Sequence, residues 1–519
     1  MSGPEMAGLA ADVRRPRATE VEQHGIDTIP DAERTSGPFD LFRIQFGGAN
    51  TFATVILGTF PVLLGLSLVQ AVLATILGVV VGALILMPMG LFGPRTGTNN
   101  AVSSGAHFGV RGRVLGSFLS LLTAIAFYSI SVWVSGDAIV GAATRLFGVG
   151  DSDLLRGIIY AVLGALVIVV VIYGYQFMLL VNKVVVLANT VLMLLGIVAY
   201  ASAFDFGYDP GPDAYALGSF WPTFILSALI VMGNPISFGA FLGDWSRYIP
   251  AETPKRKVMA AAFLAQVATL VPFGFGLVTA TIIATEAPSF FENSDYVGGL
   301  LAVSPAWYFL PVCLIALVGG MSTGTTALYG TGLDFSSVFP RFSRVQATLF
   351  IGSIAIVFIF VGRFAFNIVQ SISTFAVLII TCTAPWMIMM MIGYVTRRGW
   401  YDADSLQVFN RRQVGGRYWF NRGWNWRAMG VWIFSAVMGI MFVNVPNQFV
   451  GALGNLAAGV DLSIPVSIGL AAVLYPAVLW LFPEPADAYG PAGPRFVRAA
   501  APKNIPIVDE RKDLEPVLS

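Results

Sequence analysis

The stretch Gly47-Gly-Ala-Asn50 interrupts an apolar run over about 41–66, and Gly233-Asn-Pro235 interrupts a second run over about 219–242. Unwinding a membrane helix leaves backbone N–H and C=O groups without partners, and within a bilayer these must meet a cavity, an ion or a bound molecule. Two interrupted helices at corresponding places in the two halves of a chain are typical of secondary transporters. The pattern therefore predicts discontinuous first and sixth helices with a binding site between them.

The composition places the whole chain in a membrane. Of the 519 residues, 56% are hydrophobic and only 11% are charged, and the mean hydropathy is +0.75. Twelve apolar runs are long enough to span a bilayer as helices. We therefore expect an all-α integral membrane protein with 12 transmembrane helices. Cys313 and Cys382 both lie within apolar runs, which predicts free, buried thiols.

The basic residues predict the orientation. Twelve spans put both termini on one side, and with those termini inside, 27 of the 30 Lys and Arg residues fall on the inner side. Only Arg145, Arg156 and Arg363 fall outside. Positive charge is concentrated on the cytoplasmic side of membrane proteins. This asymmetry predicts a multi-pass protein of the cell membrane with both termini in the cytoplasm.

The positions of the two interruptions predict an internal repeat. The second interruption falls five helices after the first, in helix 6, and because five is odd, a second five-helix unit must be inverted in the membrane. The predicted divisions are a disordered N-terminal tail, 1–38, a transporter domain, 39–483, and a cytoplasmic C-terminal tail, 484–519. Within the domain they are a first repeat, 41–203, an inverted second repeat, 219–398, and two added helices, 427–483.

Several motifs resemble the purine/cytosine permease family of nucleobase–cation symporters, in the same order from about Leu41 to Leu481. The motifs are Gly93-Pro-Arg-Thr-Gly97, Phe108-Gly-Val-Arg-Gly112, Asp244-Trp-Ser-Arg-Tyr-Ile-Pro250, Ala384-Pro-Trp386 with Tyr394, Arg397-Arg-Gly-Trp-Tyr-Asp402 and Asn425-Trp-Arg-Ala428. The resemblance implies a leucine-transporter-like fold with a 5+5 inverted repeat, alternating access and a small planar heterocyclic substrate. It also implies a coupling cation, Na⁺ or H⁺, and no other cofactor.

Trp133 and Asp137 are the first candidates for substrate binding. They are four residues apart on one face of helix 3. An indole ring stacks well on a planar base, and a carboxylate accepts hydrogen bonds from amino or ring N–H groups. Trp133 also matches the helix 3 tryptophan of the family. Asp137 could instead carry a coupling proton, and both side chains have structural alternatives in helix packing.

Four further residues are candidates for substrate contact. Asn50 and Asn234 lie in the two interruptions, where an amide could bind substrate, although Asn50 could equally cap the second half of helix 1. Phe238, one turn beyond Asn234, could form the second face of an aromatic sandwich or simply belong to the core. Thr325 lies in the helix 8 stretch Gly324-Thr-Thr-Ala327, where the family often carries Asn.

A cation site is expected between helices 1 and 8. The resemblance implies that the hydroxyls of Ser322 and Thr323 join backbone carbonyls near Gly48, Thr51 and Gly319. Hard cations require oxygen ligands, and unwound carbonyls supply them without net charge. Adjacent hydroxyls also occur for another reason, since Ser and Thr in membrane helices often bond their own helix backbone. Sodium is the favoured ion and the proton is the alternative.

Other functional classes find little support. No Gly-x-x-x-x-Gly-Lys-Ser/Thr loop occurs, which disfavours ATP-driven transport. The two histidines, His24 and His107, lie in separate polar segments, and no metal-ligand spacing or catalytic cluster supports an enzyme. Asp244 and Arg247 are interpreted as a local pair that positions a loop or gate. The arginines between helices 10 and 11 are interpreted as topology determinants and lipid head-group contacts, and not as a nucleic-acid patch.

The open alternatives concern the substrate and the mode of action. Allantoin, hydantoin or a vitamin could replace the nucleobase without a change of fold. A passive channel or a receptor with this fold is a further possibility. The expected partners are the substrate, the cation and the lipid bilayer, and the sequence leaves the oligomeric state open.

Overall fold

The computed structural model describes residues 25–150, 152–339, 341–365 and 368–509. Most of the predicted N-terminal tail and the last ten residues lie outside the described residues. Within the described ranges, nine helices are long and apolar enough to cross a membrane, and ten do so when one bent pair is counted as a span. Two shorter apolar helices, Val345–Val361 and Trp426–Met441, occupy the positions of predicted spans 9 and 11.

We number the spans in chain order. They are helix 1a, Pro38–Ala49; helix 1b, Phe52–Leu63; helix 2, Leu68–Leu86, extended by Met87–Leu91 and Phe92–Thr96; helix 3, Val114–Phe147; helix 4, Asp153–Tyr173; helix 5, Tyr175–Ala199; helix 6a, Phe220–Ser237; helix 6b, Leu242–Ser246; helix 7, Lys255–Ala268 with Leu270–Glu286; helix 8, Phe309–Val338; helix 9, Arg344–Ala365; helix 10, Ile368–Thr396; helix 11, Trp426–Met441; and helix 12, Ser463–Leu481.

The connections contain short elements. The helical ones are Asp31–Glu33, Asn100–Ser103, Gly105–Phe108, Pro212–Ala214, Pro288–Glu292, Tyr296–Val303, Ala403–Gln407 and Ala486–Ala488. In the described part of the chain, six two-residue strands form three pairs: Gln413–Val414 with Val508–Asp509, Asn444–Val445 with Phe449–Val450, and Glu484–Pro485 with Ala499–Ala500.

Helix 1 is interrupted where the sequence predicts. Helix 1a continues through the two glycines and ends at Ala49, and the chain turns at Asn50 (φ −82°, ψ 67°) and Thr51 (φ −142°, ψ 165°) before helix 1b begins. The two halves meet at an angle of 62°. Thr51, rather than Asn50, is the N-cap residue of helix 1b. The side chain of Asn50 is therefore free to contact other helices.

The predicted position of the helix 6 interruption is wrong. Gly233-Asn-Pro235 remains helical, and helix 6a ends at Ser237. Proline removes one backbone donor, but the helix runs on past it. The chain leaves the helix in the turn Phe238–Phe241, where Asn100 donates to the carbonyl oxygen of Gly239 at 2.9 Å. An amide from the loop between helices 2 and 3 thus satisfies a carbonyl that the helix leaves free.

Burial separates the central helices from those at the periphery. The most apolar window of the helix 6 span is 94% buried, whereas the corresponding windows of helices 5 and 12 are each 28% buried. Helix 8 packs along helix 3, helix 6a packs on helix 2, and helix 1b packs on helix 7. Helices 1 and 6, which carry the interruptions, consequently lie inside the bundle, where unwound backbone can be satisfied.

The described ends of the chain lie together on one face, which we call the terminal face. Arg247, just beyond helix 6b, donates to the carbonyl oxygen of Gly25 at 2.6 Å, and Gln407 donates to that of Ile26 at 3.1 Å. Glu484, at the start of the C-terminal segment, is fully buried. Residues 25–37 and 484–509 thus contact the loops of this face, although the sequence assigns both segments to tails.

Candidate functional site

The interruption in helix 1 directs two backbone carbonyls toward helix 8. The N–H of Thr51 bonds the carbonyl oxygen of Ala49 at 3.0 Å instead of continuing the helical pattern. The Ser322 hydroxyl lies 2.8 Å from the carbonyl oxygen of Gly47, and the Thr323 hydroxyl donates to that of Gly48 at 3.0 Å. Four uncharged oxygens thus meet between helices 1 and 8.

Two glycines permit this close approach of the helices. A Cβ atom on Gly47 would lie 2.6 Å from Oδ1 of Asn182 in helix 5, and one on Gly319 would lie 2.8 Å from Nδ2 of Asn189 and 3.1 Å from the Cα of Thr51. Real Cβ atoms essentially never come within 3.0 Å of another atom, and a contact of 3.1 Å is tighter than most that they make. Helices 1, 5 and 8 therefore meet here only because neither glycine carries a side chain.

The structure brings the five residues predicted for the cation site to this junction. They are Gly48, Thr51, Gly319, Ser322 and Thr323. The carbonyl of Gly47 joins them, which the sequence prediction did not include. Neutral oxygens that converge in a buried place can coordinate a hard monovalent cation without introducing net charge.

A small central cavity lies beside the oxygen cluster, enclosed by helices 1, 3, 6 and 8. Its volume is about 10 Å³, and its walls are Gly48, Thr51, Thr54, Phe127, Asn234, Phe238, Phe241, Thr323, Thr326 and Ala327. That space holds about one water molecule. Three of the ten wall residues are phenylalanines, and because the space is so small, a planar ligand could enter only if the wall residues separated.

Two polar atoms at the cavity are without hydrogen-bond partners among the described residues. They are the hydroxyl of Thr51 and the side-chain nitrogen of Asn234, and both residues are almost fully buried. Leaving a buried polar group unsatisfied costs about 1–3 kcal/mol. Such atoms beside aromatic rings are suited to bind a ligand that supplies the missing hydrogen bonds.

Asn50 faces helix 5 rather than the cavity. Its side-chain nitrogen donates to the hydroxyl of Thr190 at 3.0 Å, and its backbone carbonyl accepts a hydrogen bond from Asn189 at 2.9 Å. Asn50 thus holds the interrupted backbone against helix 5. Thr325 is also absent from the cavity wall, and its hydroxyl donates to the carbonyl oxygen of Ser322 within helix 8 at 2.9 Å.

Trp133 and Asp137 form a separate cluster farther along helix 3. The indole N–H of Trp133 donates to Asp137 Oδ2 at 3.0 Å. Arg156 and Tyr160 of helix 4 both donate to Asp137 Oδ1. Asp137 also lines a cavity of about 60 Å³ near the face opposite the tails, between helices 1b, 3 and 7 and the segment 290–297. The structure therefore separates these two residues from the central cavity.

Several cavity residues are absent from the sequence prediction. Thr54 follows Thr51 by three residues and Thr326 follows Thr323 by three, so helical periodicity could have found both. Phe127 supplies the helix 3 ring at the cavity in place of Trp133. It is one of 39 phenylalanines, and its apolar surroundings give no signal in the sequence.

Aromatic residues close the space between the cavity and the terminal face. The rings of Tyr175 and Tyr248 stack with centroids 4.0 Å apart. Arg247 donates to the hydroxyl of Tyr329 at 3.1 Å, and Tyr329 lies two residues beyond Ala327 along helix 8 toward that face. Because Arg247 also holds Gly25, this contact joins helix 6b, helix 8 and the N-terminal segment. The structural or gating role that the sequence suggests for Asp244 and Arg247 stays a prediction.

A buried ion pair fixes the C-terminal segment on the terminal face. Arg397, after helix 10, donates to Glu484 at 2.6 Å, and both side chains are fully buried. Burial lowers the pKa of Arg397, but Glu484 and nearby tyrosines raise it by more, so this pKa lies above its usual value. Arg397 also contacts Nδ1 of His107 at 3.0 Å. Burial and the Arg397 charge hold the pKa of His107 well below its usual range.

Comparison with known proteins gives one family match. The model for permeases for cytosine/purines, uracil, thiamine and allantoin matches residues 28–466. A Bacillus subtilis (strain 168) protein, YxlA, provisionally assigned as a purine-cytosine permease, is 24% identical over 468 residues, which cover 88% of this chain and 95% of the relative. The hydantoin permease of Microbacterium maritypicum is 23% identical over 436 residues, which cover 81% and 84% of the two chains.

A solved structure shares the fold. Mhp1, a nucleobase-cation-symport-1 family transporter in a closed conformation with bromovinylhydantoin bound, aligns with a TM-score of 0.66. The alignment covers 92% of this chain and 98% of Mhp1, at 19% sequence identity. The leucine-transporter-like fold expected from the sequence is thereby confirmed.

Proposed function

The chain belongs to the family of permeases for cytosine/purines, uracil, thiamine and allantoin, and from this premise we propose that it imports a nucleobase of the cytosine or purine type together with sodium. Cation-coupled transport of a nucleobase or related heterocycle by alternating access follows from the family and the fold. The junction of helices 1 and 8 is the main support for a nucleobase and sodium as the transported pair. Two carbonyls and two hydroxyls converge there beside a cavity with aromatic rings in its wall.

The substrate would bind in the central cavity. Phe127 and Phe238 supply ring faces from helices 3 and 6, and flat heterocycles stack favourably on such rings. The side-chain nitrogen of Asn234 would donate to a ring nitrogen or carbonyl of the substrate, and the Thr51 hydroxyl can donate or accept. Since the cavity now holds about 10 Å³, binding must be accompanied by separation of the rings.

Sodium is supported over the proton by the chemistry of the junction. The oxygens of Gly47, Gly48, Ser322 and Thr323 carry no formal charge and do not titrate near neutral pH. Asp137, the helix 3 carboxylate considered as a proton carrier, interacts with Arg156, Tyr160 and Trp133. These contacts tie helix 3 to helix 4 and give the carboxylate a structural role.

The distribution of charge supports an orientation with the terminal face in the cytoplasm of a cell membrane. Inward release would then require the contacts of Tyr175, Tyr248 and Arg247 to open. Cation binding would hold helix 1a against helix 8, and cation release would free it, which links the ion to the conformational equilibrium. We also retain the division into two inverted five-helix repeats and two added helices.

Reconstitution into liposomes tests the proposal. Radiolabelled cytosine, adenine, hypoxanthine, uracil and allantoin are offered in turn under an imposed sodium gradient or an imposed proton gradient. We expect concentrative uptake of a nucleobase that requires inward sodium and is abolished by a sodium ionophore. Uptake driven only by protons would contradict sodium coupling. Equilibration without accumulation would instead indicate a channel, and absence of accumulation despite binding would indicate a receptor.

A hydantoin is the second candidate substrate. One relative is a hydantoin permease, and the solved structure with this fold has bromovinylhydantoin bound. Hydantoins and nucleobases share a flat ring with adjacent N–H and C=O groups, so the same cavity wall suits both. Competition for nucleobase uptake by benzylhydantoin, with allantoin in parallel, separates the two substrate classes.

A further inference from the structure

The hydroxyl of Ser322 lies between more acceptor oxygens than it can serve. It is 2.8 Å from the carbonyl oxygen of Gly47, and it also contacts Oδ1 of Asn182 in helix 5. A serine hydroxyl has one proton to donate. Either the Gly47 carbonyl oxygen or Asn182 Oδ1 is therefore left without that proton. Asn182 and Ser322 are both fully buried.

Reversing the amide of Asn182 does not remove the deficit. In the present orientation, the side-chain nitrogen of Asn182 is without a hydrogen-bond partner among the described residues. In the reversed orientation the nitrogen would donate to the Ser322 hydroxyl. The amide oxygen would then occupy the former position of the nitrogen and would itself have no hydrogen-bond partner among the described residues. Either way one buried amide atom is unsatisfied, which is costly. A cation binds oxygen lone pairs and not an N–H group, so it can supply the missing partner only for an oxygen. That oxygen is one of the two that share the Ser322 proton in the present orientation, or the freed amide oxygen in the reversed one.

We propose that Asn182 is a ligand of the coupling cation, so that helix 5 holds the ion together with helices 1 and 8. This inference rests on the sodium site proposed above and adds a residue to it. The five oxygens come from Gly47, Gly48, Asn182, Ser322 and Thr323. Only the two hydroxyls carry protons, so lone pairs exceed donors in the cluster, as a cation requires.

The addition of helix 5 to the cation site has a consequence for coupling. Gly47 lies against both Asn182 and Val186 of helix 5, where a Cβ atom would come within 2.6 Å and 2.8 Å of them. An ion bound to Asn182 and to the Gly47 carbonyl would bridge helix 1a to helix 5 as well as to helix 8. Loss of the ion would then release helix 1a from both neighbours together.

Two substitutions at Asn182 test the proposal. Asn182→Leu keeps the volume and removes the oxygen, whereas Asn182→Asp keeps an oxygen at the same place. We expect Asn182→Leu to raise the sodium concentration for half-maximal uptake at least tenfold, and Asn182→Asp to keep it within about threefold of wild type at pH 8. The sodium-dependent rise of the thermal unfolding midpoint of purified protein, without substrate, should shift in the same way.

Asn189→Leu is the matched control on the same helix. Asn189 donates through its nitrogen to the Asn50 carbonyl, so its loss removes a hydrogen bond that positions the helix 1 backbone but none of the five oxygens. Asn189→Leu should therefore raise the sodium concentration for half-maximal uptake less than Asn182→Leu does. An unchanged sodium response in Asn182→Leu, alongside a tenfold shift in Ser322→Ala, would overturn the role of Asn182 while the sodium site stands. A wild-type protein without any sodium response would overturn the sodium site itself.

Discussion

Thr323 of helix 8 donates its hydroxyl to the carbonyl oxygen of Gly48 in helix 1a at 3.0 Å. Thr325, two residues farther along the same helix, donates instead to the carbonyl oxygen of Ser322 at 2.9 Å. Both hydroxyls are buried, but only the first reaches across to the interrupted helix. The two threonines are chemically identical, but only Thr323 places its hydroxyl oxygen between helices 1 and 8, where a cation shared by the two helices would bind.

Thr323→Ala should weaken sodium binding, because it removes one oxygen from the junction. We expect the sodium concentration for half-maximal uptake to rise about tenfold, which corresponds to about 1.4 kcal/mol. Thr325→Ala is the matched control and should change that concentration by less than threefold. Equal shifts in both variants would mean that the hydroxyls act through helix 8 stability, and no shift in either would exclude Thr323 as a ligand.

Phe127→Ala should weaken substrate binding more than Trp133→Ala does. Phe127 lines the central cavity, whereas the indole of Trp133 bonds Asp137. We expect the KM for the transported heterocycle to rise at least tenfold in Phe127→Ala, since stacking on an aromatic ring is worth about 0.5–1.5 kcal/mol beyond the area it buries. Trp133→Ala should change KM less than threefold and lower the thermal unfolding midpoint. The reverse ranking would restore Trp133 as the stacking residue.

The sequence predicts the junction of helices 1 and 8 better than the wall of the central cavity. Gly48, Gly319 and the pair Ser322-Thr323 are recognisable because small residues and hydroxyls are distinctive within apolar runs. The structure brings them together as expected. A cavity wall of phenylalanines has no such mark, since the same residue also serves as core and as lipid-facing surface. Phe127 could be found only once helix 3 was placed against helices 1 and 6.

Helix 6 shows a second limit of local patterns. Gly233-Asn-Pro235 has the composition of a helix break, but the chain stays helical there and turns at Phe238–Phe241. Tertiary contacts decide the point of exit, because the amide of Asn100 is available at Gly239 and not earlier. Asp137 shows the same limit. A carboxylate is rare in a membrane helix, and this rarity indicated that Asp137 is important. Its partner Arg156 lies in another helix, so the local pattern could not show the pair.

Asp137→Asn should reduce stability more than it reduces sodium affinity or substrate affinity. The substitution leaves Arg156 without its charged partner in a site where both side chains are less than one-fifth exposed. We expect a loss of about 1–3 kcal/mol, between the values for exposed and buried ion pairs, seen as a lower thermal unfolding midpoint in detergent. The KM and the sodium dependence should remain within about threefold.

Arg156→Gln in the Asp137→Asn background provides the matching double variant. Because the second change removes the isolated charge, the double variant should be less destabilised than the sum of the two single changes. Additive losses would show that the two residues do not interact. A selective loss of pH dependence of uptake in Asp137→Asn, at normal stability, would instead support the proton-carrying role.

His107→Gln should flatten the response of stability to acid. The folded protein holds the His107 ring neutral, because burial and Arg397 depress its pKa, whereas the unfolded chain titrates near about 6.5. As the pH falls below that value, the unfolded state binds a proton that the folded state refuses, so stability present above about pH 6.5 is lost at up to about 1.4 kcal/mol per pH unit. The thermal unfolding midpoint of wild type should therefore fall more steeply between pH 7 and about pH 5 than that of His107→Gln.

His24→Gln, which alters the only other histidine in the sequence, should follow the wild-type curve. Parallel curves for wild type and His107→Gln would show that this ring takes up its proton in the folded protein as readily as in the unfolded chain.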